Sequence, residues 1–142
     1  MKLRQRLSCG LATAGLLVLA LSGCGGAART GQTVLRVTER DFRITAPQRV
    51  KAGDLVLAVR NRGPDAHELI VVRERGARLP LRRDGSTVSE EKLEPITVET
   101  LEPGQPGSVR KLRLHLAPGR YELFCNMSGH YLGGMHTTLV VG

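Results

Sequence analysis

The sequence predicts an all-β domain, a Greek-key sandwich of about eight short strands. Two observations carry the prediction. Apolar residues alternate with polar ones at a period of two, and Gly- and Pro-containing turns punctuate the chain between these segments. The clearest alternation is Val109, Leu112, Leu114 and Leu116, which mostly skip by two with Arg110, Arg113 and His115 between them. Taken in order, the expected strands cover residues 34–37, 42–45, 55–61, 68–73, 96–100, 109–116, 120–124 and 137–141. Ala52-Gly53-Asp54, Pro103-Gly104 and Pro118-Gly119 read as turns between them. The segment from Glu74 to Glu94 fits the pattern least. Within it Arg82-Arg83-Asp84-Gly85 reads as a turn, and Val88 to Leu93 as one or two helical turns capped by Ser89. The expectation for this irregular insertion is a solvated connection.

The N-terminus addresses location. Lys2, Arg4 and Arg6 precede an apolar and small-residue run from Leu11 to Leu21, too short to cross a bilayer and shaped like the core of an export signal. The run ends in Leu21-Ser22-Gly23-Cys24, which resembles a bacterial lipobox. That resemblance implies cleavage after Gly23 and a lipid on Cys24, which would hold the protein on a membrane, facing the periplasm or extracytoplasmic side. Three segments follow: a signal peptide at 1–23, a flexible tether at 24–32 that is small and polar, and a folded domain at 33–142. Removing residues 1–23 leaves 119 of the 142, enough for one domain with a core, and lowers the formal charge from +8 to +5. Of the three cysteines, Cys9 would leave with the signal and Cys24 would carry lipid. Cys125 then remains as a lone thiol, with no internal disulfide available. An oxidising compartment threatens such a thiol unless a metal holds it as thiolate.

Chemistry concentrates near the C-terminus. Cys125, His130 and Met135 stand at even spacing in Cys-Asn-Met-Ser-Gly-His-Tyr-Leu-Gly-Gly-Met, between two expected strands. Nine residues separate Cys125 from Met135, including Gly129, Gly133 and Gly134, so a loop can fold back and converge on one ion. A helix would point residues five apart in diverging directions. Upstream, His67 stands where a loop enters an apolar strand. Any one of these residues alone reads as ordinary core or loop. Together, two imidazoles, a thiolate and a thioether are the mixed borderline and soft donor set that suits one copper ion, with His2Cys as a trigonal plane and Met as a weak axial ligand.

These residues resemble the cupredoxins, the blue copper electron-transfer proteins. The Cys-x4-His-x4-Met loop and the Gly-His-Tyr-x-x-Gly-Met wording are most similar to the rusticyanin and sulfocyanin branch, and the resemblance covers roughly residues 33–142. It implies a one-electron carrier cycling between Cu(II) and Cu(I), not an enzyme, with His67, Cys125, His130 and Met135 on the metal. It also implies an apolar electron-transfer patch around His130, here Met127, Tyr131 and Leu132. Two positions depart from the family pattern. Glu68 stands where azurins and plastocyanins carry an Asn whose side chain straps the ligand loops together. Ala66 stands where azurin has a Gly whose carbonyl lies near copper, so a fifth ligand is not carried over.

Composition narrows the remaining classes. The basic pI near 10.3 raises nucleic acid as a partner, but aromatics are only 3% of the chain, leaving few stacking platforms. The arginines alternate with apolar residues, as on a solvent-facing sheet, and an exported protein meets acidic redox proteins or anionic lipid instead. The expected partners are redox proteins such as a cytochrome or terminal oxidase, with the protein itself a monomer. A copper-delivery or copper-buffering lipoprotein is the alternative. It is disfavoured by a mature chain with Met127 and Met135 as its only methionines and no His-rich tract. Zinc is a poorer match because thioether is a poor zinc ligand. His115 and His136 are not assigned to the metal, the first lying on an outward strand phase and the second pointing away from Met135.

Overall fold

A computed structural model describes residues 32–142; the expected signal peptide, Cys24 and most of the tether lie outside the described residues. The strands are β1 (Thr33–Arg40), β2 (Arg43–Thr45), β3 (Arg49–Val50), β4 (Gly53–Asn61), β5 (His67–Arg73), β6 (Thr97–Gly104), β7 (Val109–Leu116), β8 (Gly119–Phe124) and β9 (His136–Val141). They form two sheets, ordered β2-β1-β4-β7 and β3-β9-β8-β5-β6. Each sheet contains one parallel pair, β1 with β4 and β3 with β9; the other ladders are antiparallel. The all-β sandwich therefore stands as expected. Pro103-Gly104 corrects one turn: it ends β6, because His67 pairs with Gly104 in the ladder. The two-residue β3 is too short to leave a periodic signature.

The alternation in the sequence maps directly onto the core. Leu35 and Val37 of β1, Leu55, Leu57 and Val59 of β4, and Leu112, Leu114 and Leu116 of β7 face inward. Across the gap they meet Leu69, Val71, Tyr121, Leu123, Leu139 and Val141 from the other sheet. Strands β5 and β8 are instead buried on both faces, which explains their nearly continuous apolar runs.

What covers their second face is the insertion. Leu79, Val88 and Leu93 are buried against Ile70, Val72 and Phe124, forming a second apolar cluster. Full burial of one such side chain contributes ~1.5–3 kcal/mol, so these three hold the segment down rather than leave it a solvated connection. A short helix, α1 (Glu90–Leu93), does form here and runs into a 3-10 turn at Glu94–Ile96. Ser89 is at its N-cap, but the side chain makes no capping bond.

Arg110 ties the two sheets together, through an ion pair within its own sheet and a hydrogen bond to the other. Glu39 of β1 is fully buried and meets the Arg110 guanidinium of β7, which also donates to the Glu102 carbonyl of β6. Gly104 must lack a side chain, since a Cβ there would run into that guanidinium. Burial pushes Glu39 from 4.5 up to about 7, and Arg110 pulls it back only part of the way. The folded protein thus holds this proton more tightly than the unfolded chain. The contribution is complete below about pH 4.5 and is lost as pH rises through about 7, on the order of 3 kcal/mol. Urea unfolding of the metal-free protein at about pH 5 and about pH 8 should show this slope in the wild type and a flatter one in Glu39→Gln. Equal slopes in the two proteins would contradict the assignment.

Candidate metal centre

The site is assembled at one end of the sandwich from two connections. The first is the β4–β5 loop. Asn61 is buried at its start and organises it, donating through Nδ2 to the carbonyls of Asp65 (2.7 Å) and Gly104 (2.9 Å) and accepting from the Gly63 N–H (2.9 Å). The β5–β6 register then shifts between His67 and Leu69, an irregularity of the kind that re-aims a side chain. His67 ends fully buried.

The second is the β8–β9 loop. The Cys125 N–H donates to the Met135 carbonyl (3.1 Å), so the ends of the loop meet. The Met135 N–H returns to the His130 carbonyl (2.9 Å), and the His130 N–H to that of Met127 (2.9 Å). Gly129 and Gly134 adopt φ values of 79° and 99°, the left-handed turns that glycine accommodates. Gly133 serves differently: a Cβ there would strike the ring of Phe42.

Together the loops bring His67, Cys125 and His130 to one point, with ligand atoms all within 4.8 Å of one another. Nδ1 of His67 lies 3.3 Å from Nδ1 of His130, which lies 3.5 Å from Sγ of Cys125. Met135 closes the same loop and is fully buried. Among the described residues this is the one cluster of three such donors. Its chemistry fits one copper ion: imidazole nitrogens and a soft sulfur, no carboxylate, in a site shielded from water.

The electrostatics agree with a metal site. Burial pushes the Cys125 thiol up to about 11, so a metal must displace its proton to gain the thiolate. Burial, and then the neighbouring His130, push His67 below the usual histidine range, which keeps the ring neutral and its lone pair available.

Glu68, standing where the family pattern has an Asn, makes a strap of its own. Glu68 Oε1 accepts from the Asn126 N–H (3.2 Å), joining the residue after His67 to the residue after Cys125. The Asn126 side chain carries the connection outward to the insertion, pairing with both the N–H (2.6 Å) and the carbonyl (3.1 Å) of Val88 and donating to Glu90 (2.7 Å). The Gly129 N–H bonds the Ser86 carbonyl (3.0 Å). Nothing in the sequence reading found Asn61, Asn126 or this clamp. Asn61-Arg-Gly-Pro-Asp was a visible Asx-turn signal; Asn126 had none.

Around His130 the surface differs from the expected patch. Leu132 is exposed, whereas Met127 packs against the core and the Tyr131 ring packs on Phe124 (centroids 5.6 Å apart). The second exposed apolar residue is Phe42, from the β1–β2 turn, held at a φ of 59° with its ring edge-on to His130 at 5.6 Å. His115 pairs with Asp54 at the surface and His136 with Glu122, both away from the cluster.

No family model and no curated protein matches this sequence. Solved structures match its fold. A dithionite-reduced auracyanin from Roseiflexus castenholzii aligns over 78% of this chain and 98% of its own, with a TM-score of 0.57 at 16% identity. Rusticyanin from Thiobacillus ferrooxidans aligns over 78% of each chain, with a TM-score of 0.58 at 12% identity. An azurin from Methylomonas sp. strain J aligns over 78% of this chain and 98% of its own, with a TM-score of 0.55 at 14% identity. The fold is that of the cupredoxins. At these identities the likeness speaks to architecture, and the donor cluster must carry the chemistry. In the cupredoxin fold found here, that cluster occupies the end of the sandwich where the β4–β5 and β8–β9 loops meet.

Proposed function

We propose that this protein is a mononuclear blue copper protein that carries single electrons between redox proteins outside the cytoplasm, tethered to a membrane by lipid on Cys24. The observation that carries the reading is the buried convergence of His67 Nδ1, Cys125 Sγ and His130 Nδ1. In this reading His67, Cys125 and His130 would hold the ion, with the Met135 thioether as a fourth, soft donor. Bound copper supplies the Cu(II)/Cu(I) couple. The chain supplies a frame that keeps nearly one geometry for both states. Loop-closing backbone bonds, the Glu68 strap and the Asn126 clamp resist rearrangement, and burial excludes water. His130 is the ligand nearest the surface, 9% exposed with the Phe42 ring edge-on to it, and offers the electron's exit.

Copper delivery is the second reading. It requires ligands that a recipient can reach, and here His67, Cys125 and Met135 are all fully buried. A visible absorption spectrum separates the two. The oxidised, copper-loaded protein should show an intense blue band that a mild reductant bleaches reversibly; a colourless Cu(I)-only protein would favour delivery. Cys24→Ser should leave that band unchanged and release the protein from the membrane fraction. Retention of the variant after signal cleavage would overturn the lipid anchor.

A further inference from the structure

We propose that Asp41 is a positioning residue for the copper ligand His67, holding its ring through Nε2 and biasing the site toward Cu(II) by its charge; the redox part of this rests on the copper reading above. Nε2 of His67 lies 3.0 Å from Oδ1 of Asp41, at the tip of the β1–β2 turn. Both atoms are buried and neither has a hydrogen-bond partner elsewhere; at 3.0 Å they are close enough to bond once donor and acceptor align. Two unsatisfied buried groups this close make a costly arrangement unless they serve each other.

Gly63 supplies independent support. A Cβ at that position would lie 2.5 Å from Asp41 Oδ1 and 2.6 Å from His67 Nε2. The missing side chain is therefore the space in which the carboxylate and the imidazole meet. Asn61 fixes Gly63 there through the Gly63 N–H. The turn carrying Asp41 is anchored by Phe42, whose ring lies against His130 and above Gly133. One turn thus reaches both imidazoles, touching His67 through a carboxylate and His130 through an aromatic edge.

The consequence is chemical. A proton on Nε2 leaves the Nδ1 lone pair directed at the donor cluster, and an outer carboxylate raises the donor strength of the ring. A stronger, more anionic donor favours the higher charge state. Losing the charge should weaken Cu(II) binding about tenfold more than Cu(I) binding, which raises the reduction potential by about 59 mV.

The test uses the full chain in two states. In copper-free protein, nitrogen-15 NMR should find His67 as the Nε2–H tautomer in the wild type. Asp41→Asn keeps an acceptor oxygen and should keep that tautomer, while Asp41→Ala should mix the two. In copper-loaded protein, voltammetry should find the potential raised in Asp41→Asn with the blue band retained. Gly63→Ala, whose methyl takes the space in which the carboxylate and the ring meet and so parts them, should move the potential in the same direction and covers the case of an Asp41 variant that fails to fold. A wild-type tautomer in Asp41→Ala, or an unchanged potential in folded, blue Asp41→Asn and Gly63→Ala, overturns the proposal. If the wild type takes up no copper, the copper reading fails, and the tautomer experiment still decides whether Asp41 holds His67.

Discussion

Cys125→Ser is expected to abolish the blue absorption completely. The band requires charge transfer from a thiolate, and a serine hydroxyl hardly ionises even beside a metal ion. Copper affinity should fall by more than the ~100-fold that marks the upper range for losing an outer hydrogen-bond partner, because a primary donor is lost. Burial already pushes the thiol up to about 11, so the wild-type site gains its thiolate only against that cost. Met135→Gln provides the contrast. If the Met135 thioether is a weak donor to copper it would add little affinity, so the variant should stay blue, while the harder oxygen would lower the potential. Absorption spectra and voltammetry of both variants check this. A blue Cys125→Ser protein would overturn the ligand set, and an unshifted Met135→Gln potential would return Met135 to the role of core filler.

Asn126→Ala should be the most damaging polar substitution in the site's frame. It removes both bonds to Val88 and the one to Glu90. Val88 is itself buried, so its N–H and carbonyl would be left without partners or with strained access to water. Each such group costs ~1–3 kcal/mol, for a loss of ~2–6 kcal/mol against a total stability of ~5–15 kcal/mol. Urea unfolding of the metal-free protein measures it directly. A loss below ~0.5 kcal/mol would mean that the insertion is held by its apolar contacts alone.

The sandwich was legible because its signals are local. A strand with one wet face announces itself by alternation, as in β7, where Leu112, Leu114 and Leu116 are buried and Lys111, Arg113 and His115 are not. Cys125, His130 and Met135 were legible for a similar reason, since one loop carries all three. The insertion was misjudged because Leu79, Val88 and Leu93 follow no regular period, and they bury a second face shared by β5 (Ile70, Val72) and the distant β8 (Phe124), whose double-sided burial shows only once the sheet is assembled. Asp41 and Phe42 escaped notice on the same grounds. They lie far from the ligands in sequence, and only the pairing of β1 beside β4 brings their turn over His67 and His130. Glu68 was visible as a departure from the family pattern, but that a longer carboxylate would still reach the Asn126 N–H depended on three-dimensional placement.

The clamp between Asn126 and Val88 bears on how such a centre could be transplanted. Residues 125–135 hold three of the four proposed donors and look like a portable cassette. Grafted onto a foreign sandwich, however, the cassette would leave behind the Val88 backbone, the Ser86 carbonyl and the Glu68 carboxylate that brace it. The recipient would inherit the donors without their scaffolding, and its copper would sit in a frame free to adjust with each electron. The unit that travels intact is longer. It begins at Asn61, ahead of the β4–β5 loop, and carries the insertion with it, so exchange between relatives preserves the site's rigidity only when both connections move together.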